Sequence, residues 1–317
     1  MTSPPDRTRV ACVVTTYRRD VSAIAAVESV LAQTHRSLEI VVVEDGGDAG
    51  IREWVERRGD PDLRYVAHAH NRGLAAARNT GMAETQADWV AFLDDDDLWK
   101  PRRIAAQVER LSGIDEDVAV ITCGLEGRSP AGELLYEDRP SFRGSLRADI
   151  RAGLKTIPSG GLYRRKAWEA IGGFDTDLAT GIDHDIWMQL ARAGFAVDYV
   201  DELLVVHVED GRPRMTLDGD RRLEGIERFL EKWRPSFVEW LGEPAARRFV
   251  RRYRARTLGT MALALARAGQ RRQARRRLFQ LLRHHPQEFL TSPRYAAALV
   301  AGDRGLDVGR RIKSAWR

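Results

Sequence analysis

Residues 88–99 are DWVAFLDDDDLW, an apolar run of strand length that ends in four consecutive aspartates. The apolar run predicts a strand that is buried on both faces. Adjacent carboxylates repel one another, and a divalent cation removes that cost. Hard oxygen ligands suit Mn²⁺ or Mg²⁺, and a diphosphate can supply further ligands. The alternative is an acidic surface turn ahead of the helix that Pro101 introduces, but solvated loops rarely follow a buried strand so directly.

Strands and helices alternate on both sides of this stretch. Strands are predicted over 9–16, 38–43, 63–67, 88–93 and 117–123, with helices over 20–34, 51–58, 73–86 and 101–112. This order predicts an α/β protein with a mostly parallel sheet flanked by helices. In such sheets ligands bind beyond the carboxyl ends of the strands. Residues 15–19, 44–47 and 94–97 are therefore expected at one edge of the sheet.

The pattern changes after residue 123. Residues 124–161 are rich in Gly, Pro and charge, and residues 162–171 predict a helix or a strand–helix junction. A helix over 183–193 and a last strand over 197–207 follow. Further helices are predicted over 219–233, 245–268, 271–283 and 293–301. These last helices predict an α-helical extension after the α/β sheet.

Composition places the chain among globular proteins. Of its 317 residues, 43% are apolar and 31% are charged, which argues against a disordered, collagenous or coiled-coil architecture. No apolar run reaches 18 residues, and the N-terminus lacks the apolar segment of a secretory signal peptide. Cys12 and Cys123 lie in apolar runs, so we expect buried thiols rather than a disulfide or a metal site. A cytoplasmic location, or a peripheral one at the inner face of the cell membrane, is expected.

Charge is distributed unevenly along the chain. The net charge is +5, but residues 1–211 carry −11 and residues 212–317 carry +16. The acidic excess includes the aspartate run, and the basic excess is concentrated in arginines between residues 247 and 277. The chain therefore combines an acidic body with a basic tail.

Six motifs resemble those of inverting glycosyltransferases of family 2 with the GT-A fold. In chain order they are VVTTYRR, VVVEDGG, NRGLAAARNTGM, WVAFLDDDDLW, LYRRKAWEAIGGFD and GIDHDIWMQLARAG. The resemblance covers about residues 9–210. It implies a disordered N-terminus over 1–8, a GT-A domain over 9–211 and a basic helical extension over 212–317. Within the domain, residues 9–123 would form the nucleotide-sugar half and residues 124–211 the acceptor half.

The resemblance assigns the donor nucleotide to the strand ends of the first half. Thr15, Tyr17 and Arg18 would lie against the nucleotide. Asp45 would accept a hydrogen bond from the base, typically uracil N3, and Arg78 would reach the nucleotide or its phosphates. The alternatives are a turn residue for Asp45 and a solvated helix face for Arg78.

The resemblance also implies a metal-binding DxD-like element in the aspartate run. Asp94 and Asp95 are assigned to the nucleotide sugar and Asp96 to the metal. The register is ambiguous, because Asp95 and Asp97 have the same spacing as Asp94 and Asp96. His207 is a further candidate metal ligand, with a purely structural histidine as the alternative.

Asp183 takes the position of the family's catalytic base, with Asp185 as the second choice. Ile182 stands where the family usually has Glu, which is a departure from the pattern. An aspartate at a helix start is also a good N-cap, so a capping role is the alternative. For the acceptor pocket, Gly160, Gly161 and Trp187 are expected, and Trp187 either stacks on a sugar or packs. The loop residues Arg212 and Arg214 are further candidates for phosphate contacts.

The implied reaction is a single displacement with inversion at the anomeric carbon. The donor would be a nucleotide sugar, with a UDP-sugar expected, and the acceptor a glycan, a glycolipid or a glycosylated natural product. One rival is an NAD enzyme, which needs a G-x-G-x-x-G turn after the first strand where this chain has TTYRRD. Another rival is a basic binding module with an inactive transferase half.

The basic tail leaves several partners open. An anionic membrane surface suits helices that combine apolar and basic faces. Nucleic acid is less favoured, since no recognition motif accompanies the charge. A solvated arginine face, pairing with the acidic body of the same chain, and a homo-oligomer are the remaining alternatives.

Overall fold

The computed structural model describes residues 8–47, 50–152, 156, 158–209, 219–267, 269–292 and 295. Contacts between residues divide the chain into two compact units, residues 1–210 and 211–317. The helix expected over 293–301 lies outside the described residues apart from Tyr295, and Arg212 and Arg214 also lie outside them. None of the described helices is long and apolar enough to span a membrane.

The first unit is built on a ten-stranded sheet. Its strands in chain order are β1 (Val10–Thr16), β2 (Leu38–Glu44), β3 (Leu63–Ala67), β4 (Trp89–Asp94), β5 (Asp97–Trp99), β6 (Val118–Arg128), β7 (Leu134–Asp138), β8 (Gly144–Ser145), β9 (Leu162–Arg164) and β10 (Ala196–Val208). The main path runs β3-β2-β1-β4-β9-β6-β10-β5, and β7 and β8 pair with β6 and β10. Along this path β9 and β5 run antiparallel to the other six strands. The expected α/β sheet is confirmed.

The described residues of the first unit include seven α-helices. They are α1 (Asp20–Leu31), α2 (Gly50–Arg58), α3 (Leu74–Ala83), α4 (Arg103–Arg110), α5 (Leu146–Ala152), α6 (Arg165–Ile171) and α7 (Ile182–Arg192). Residues 10–14 of β1 are fully buried, as expected for a strand covered on both faces. Helix α3 comes very close to β1 at Gly81, where an added Cβ would lie 2.2 Å from Val13 Cγ1. A glycine is required there for the helix to pack at this distance.

The segment between residues 124 and 161 contains more regular structure than its composition predicts. Strand β6 continues to Arg128 and forms an antiparallel hairpin with β7, and the short β8 and α5 follow. None of the five residues of β7 is buried, so the strand lacks the apolar alternation by which strands are recognised in sequences. The Gly, Pro and charge content of residues 124–161 therefore does not reveal these elements.

The second unit is helical over its described residues. It contains α8 (Gly219–Leu241), α9 (Glu243–Arg267), α10 (Arg271–His284) and α11 (Pro286–Leu290). Helix α8 continues through Pro235, beyond the predicted end at residue 233. Trp233 and Phe237, four residues apart, are both buried, and their packing holds the helix across the proline.

Candidate active site

The carboxyl ends of β1, β2 and β4 meet at one edge of the sheet. Thr15 lies in register between Val43 of β2 and Asp94 of β4. The parallel pairing therefore brings the segments that follow the three strands together, as the alternation of strands and helices predicts. This edge carries most of the candidate residues of the first half.

The turn after β1 holds an unusual backbone conformation. Arg18 has a positive φ of 55°, a conformation that non-glycine residues rarely adopt. Its guanidinium lies 5.2 Å from the ring centroid of Tyr17, which is 41% exposed. Thr15 is buried, and its hydroxyl has no hydrogen-bond partner among the residues that the structure describes. Tyr17 and Arg18 are thus accessible from this edge, whereas Thr15 is not.

Asp45, just after β2, holds the next loop in place. Its Oδ1 accepts hydrogen bonds from the backbone N–H of Arg72 at 2.8 Å and lies 2.7 Å from His68 Nδ1. Its Oδ2 accepts from the backbone N–H of Gly73 at 2.7 Å. The adjacent Gly46 has a φ of 82°, and a Cβ there would lie 2.4 Å from Asn71 N. The turn role considered for Asp45 is therefore present in the structure.

The aspartate run divides into two groups. Asp94, Asp96 and Asp97 each offer a carboxylate oxygen within 4.8 Å of the others. Asp95 instead accepts hydrogen bonds from Thr16 Oγ1 at 2.8 Å and from Arg19 Nη1 at 3.1 Å. Three convergent hard oxygen ligands suit Mg²⁺ or Mn²⁺. Among the described residues, this aspartate trio is the group that fits a divalent cation.

The buried position of Asp95 changes its acidity. Burial raises the pKa of the Asp95 carboxyl from 3.8 to about 6, against the opposing effects of Arg19 and the Thr16 hydroxyl. Arg19 also lies 3.4 Å from Asp96 Oδ2 and so links the two groups of the run. The sequence places Arg19 at this edge with residues 15–19 but does not single it out, because a basic residue directly before a helix is common on any surface.

Asp97 is oriented by the turn over Pro158–Gly160. Ser159 Oγ donates to Asp97 Oδ2 at 2.5 Å and accepts from the backbone N–H of Asp94 at 3.4 Å. Two backbone carbonyls of this turn also accept hydrogen bonds from side chains. Trp99 Nε1 donates to Ser159 O at 3.0 Å, and Gln107 Nε2 donates to Gly160 O at 2.8 Å. A clamped backbone thus fixes one member of the aspartate trio.

Arg78 connects the first half of the domain to the second. Its Nη2 donates to Asp94 Oδ1 at 2.8 Å and its Nη1 to Asp183 Oδ1 at 2.6 Å. The side chain is 1% exposed and lies over the rings of Phe92 and Phe174. Burial alone would lower the pKa of Arg78, but the two carboxylates raise it above its ordinary value, so the cation is secure. The solvated face considered for Arg78 is wrong.

Asp183 lies in the first turn of α7 but does not cap it. The N-cap is Gly181, in a left-handed conformation, and no side chain makes a capping hydrogen bond there. Asp183 is 26% exposed, and its bond from Arg78 is made by one carboxylate oxygen only. Asp185 is 1% exposed, and its Oδ2 accepts from Gln189 at 2.8 Å. The capping alternative is wrong, and Asp183 is the more accessible of the two candidate bases.

His207 and Trp187 each contact a side chain outside the aspartate trio. His207 pairs with Asp97 across β10 and β5, and its Nδ1 lies 2.5 Å from Tyr136 Oη. Trp187 is 2% exposed, and its Nε1 donates to Asp149 Oδ2 at 3.1 Å. The structure therefore shows Trp187 packed in the interior, and its contact with a sugar stays a prediction. Metal binding by His207 also stays a prediction. Gly160 and Gly161 belong to the clamped turn or follow it directly.

The two cysteines are buried, and Cys123 Sγ lies 3.5 Å from Gly160 O of the clamped turn. Burial raises the pKa of the Cys12 thiol to about 12 and that of Cys123 to about 11. Both are free thiols, as expected. The buried Arg103 lies near both thiols, stacks over Trp99 at 3.8 Å and donates to Gly161 O at 2.9 Å. It therefore helps to clamp the same turn from inside.

An open sheet of this topology with carboxylates at its strand ends is the arrangement expected of the GT-A fold. The chain belongs to glycosyl transferase family 2, whose family model matches residues 11–172. Membership of this family excludes the NAD enzyme that was considered as an alternative, because the members of the family are glycosyltransferases. The expected enzyme class is confirmed.

Individual relatives carry little detail about substrates. An uncharacterized glycosyltransferase of Rickettsia felis is 40% identical over 223 residues, which are 65% of this chain and 36% of the relative. The uncharacterized glycosyltransferase YwdF of Bacillus subtilis is 26% identical over 231 residues, 71% of this chain and 84% of YwdF. The chain thus spans about a third of the Rickettsia relative and most of YwdF.

Solved structures share the fold. The mannosyltransferase PcManGT from Pyrobaculum calidifontis, in complex with GDP-Man and Mn²⁺, matches with a TM-score of 0.58 and 20% identity over 97% of this chain and 87% of that one. Residues 1–349 of TarS from S. aureus, in complex with UDP-GlcNAc, match with a TM-score of 0.56 and 14% identity over 98% of this chain and 92% of that one. At these identities the likeness concerns the fold alone.

Proposed function

We propose that the protein is a metal-dependent inverting glycosyltransferase that uses a nucleotide sugar. The observation that carries the proposal is the buried link from Asp183 through Arg78 to Asp94. One guanidinium holds both a candidate base and a carboxylate of the candidate cation site. In an inverting displacement the attacking acceptor oxygen and the leaving diphosphate lie on opposite faces of one anomeric carbon, so the base and the leaving-group site must be held at a fixed separation.

In this mechanism the second oxygen of Asp183 takes the proton from an acceptor hydroxyl. The acceptor oxygen forms a bond to the anomeric carbon while the bond from that carbon to the diphosphate oxygen breaks. The nucleoside diphosphate leaves with the electron pair, and the anomeric configuration inverts. Asp94, Asp96 and Asp97 would hold a Mn²⁺ or Mg²⁺ ion, which supplies positive charge at the leaving diphosphate.

The proposed donor is a UDP-sugar. A carboxylate has about four lone-pair sites, and the contacts of Asp45 with His68, Arg72 and Gly73 use three of them. One site is left to accept the N3–H of uracil. Guanine also offers N–H donors to a carboxylate, and PcManGT is in complex with GDP-Man, so a GDP-sugar is the second candidate. Tyr17 and Arg18 are exposed at the same edge for contact with either nucleotide.

The acceptor is proposed as a hydroxyl of a glycan, a glycolipid or a glycosylated natural product. Donor binding can be measured before the acceptor is known. We expect UDP-sugars to raise the melting temperature of the full chain in Mn²⁺ but not in EDTA, and to release UDP slowly by hydrolysis. A GDP-sugar with the larger shift would replace the uracil assignment. If no nucleotide sugar raises the melting temperature and none is hydrolysed, the result would support the inactive binding module instead.

A further inference from the structure

Helix α10 of the second unit carries an unusually one-sided charge. Its 14 residues include six arginines and one histidine and no acidic residue. One of these arginines, Arg277, is buried and donates to Asp220 at 2.7 Å. The other five are exposed. The charge of this helix is therefore displayed outward rather than used inside the unit.

The exposed residues form a continuous stripe. Arg272, Arg276, Phe279 and Arg283 follow one another at spacings of four, three and four residues, which places them on one side of a helix. Residues Ala274, Leu278 and Leu281 are buried on the opposite side. The stripe is about 16 Å long at 1.5 Å per residue. We call it, together with the adjacent Arg275, the α10 arginine face.

The arrangement of these charges is unfavourable within the chain itself. Arg272, Arg275 and Arg283 make no ion pair with any part of the chain that the structure describes. Arg272 and Arg276 stand four residues apart, a spacing at which like charges repel. Arg272 also lies in the first turn of α10, where the helix dipole already places positive charge. Such local conflicts are expected at surfaces that have a function.

Phe279 adds an apolar group to the middle of the face. Its side chain is 58% exposed, although large aromatic side chains are usually covered. An aromatic ring flanked by arginines suits the boundary between lipid headgroups and acyl chains, where the ring inserts and the arginine stems extend toward the phosphates. Nucleic acid would also satisfy the arginines but would need an unstacked base for the ring.

We propose that the α10 arginine face docks the protein on an anionic lipid bilayer. The headgroup phosphates neutralise the arginines, and Phe279 is covered by the bilayer interface. The α10 arginine face belongs to the second unit and the candidate active site to the first, and the inference does not depend on the identity of the sugar donor.

The test is co-sedimentation of the full chain with vesicles of phosphatidylglycerol and phosphatidylcholine, and with vesicles of phosphatidylcholine alone. Each arginine near an anionic membrane surface raises the affinity by about fivefold, so the triple variant R272Q/R276Q/R283Q should bind anionic vesicles about 100-fold more weakly. F279S should bind about fivefold more weakly. The control R36Q/R57Q/R58Q removes the same charge from exposed positions of the first unit and should bind within twofold of wild type.

Stability supplies a second readout for the same variants. Because like-charge repulsion is removed, the triple variant should melt at or above the wild-type temperature. Equal weakening by the triple variant and its control would overturn the proposal, as would equal binding to neutral vesicles. Tighter binding to a single- or double-stranded oligonucleotide than to anionic vesicles would make nucleic acid the partner and overturn it as well.

Discussion

Arg78 Nη1 donates a hydrogen bond to Asp183 Oδ1 at 2.6 Å, although the two residues are 105 positions apart in the chain. The same guanidinium holds Asp94 through Nη2. A cation with two anions around it is stable when buried, but its loss leaves two carboxylates close together with reduced solvation. The contact therefore contributes both to stability and to the position of the candidate base.

Replacement of Arg78 should destabilise the first unit. Breaking a buried ion pair by removing one partner costs about 3 kcal/mol or more, so R78Q should lower the free energy of unfolding by about that amount. R78K keeps the charge without the two-pronged geometry and should lose less. Urea unfolding measures both variants, with R57Q at an exposed arginine as the control. If R78Q and R57Q unfold alike, the contact with Asp183 does not stabilise the domain.

Asp183→Asn should separate donor binding from transfer. The amide cannot take the proton of an acceptor hydroxyl, so transfer should fall by about 10²–10⁴. Donor affinity, measured by calorimetry with Mn²⁺, should stay within about twofold, since Asp183 is not placed on the nucleotide. D185N is the matched comparison, because Asp185 is buried and bonded to Gln189. Loss of transfer in D185N but not in D183N would move the role of base to Asp185.

The aspartate trio should show a graded effect on metal affinity. D96N removes a direct oxygen ligand, and we expect affinity for Mn²⁺ with UDP to fall by more than about tenfold. S159A removes the donor that orients Asp97, and loss of such an outer contact costs about tenfold. D201N, at a 69% exposed aspartate, should have no effect. Calorimetry measures the three affinities for Mn²⁺ with UDP. If S159A binds as tightly as D201N, Ser159 does not orient the site.

Both thiols should be unreactive in the folded protein. Because burial raises the pKa values of Cys12 and Cys123, both stay protonated between pH 7 and pH 9, and the reactive thiolate is absent. A thiol-reactive dye should therefore label neither cysteine in buffer and both in denaturant. Labelling of either cysteine in buffer at a rate close to that in denaturant would contradict this expectation.

The strand ends of the first half could be predicted from the sequence because parallel pairing leaves little choice. Runs such as residues 10–16 and 38–44 are buried on both faces and alternate with helices, which predicts parallel pairing with all carboxyl ends at one edge. Once β1 pairs with β2 and β4, Thr15 and Asp94 must be neighbours. The aspartate run was therefore placed at the correct edge without any structure.

The details of the aspartate run could not be predicted in this way. Residues 95 and 96 form a turn between β4 and β5, and this turn directs Asp97 toward the site and Asp95 toward Thr16. Alternating spacing is ambiguous across a turn, since the strand period no longer applies. The link between Arg78 and Asp183 was also missed, because it depends on how α7 packs against the first half.

Strand β9 is only three residues long, yet it lies between β4 and β6 and is bonded to both. When a nascent chain has been synthesised only as far as β6, strands β4 and β6 are therefore unpaired on the sides that β9 covers in the finished sheet. Over the same interval Arg78 is without Asp183, the partner that arrives on α7. The catalytic edge is thus completed by a late, long-range step. Before that step the domain is partly folded, and this is the stage at which it is exposed to aggregation or chaperone binding.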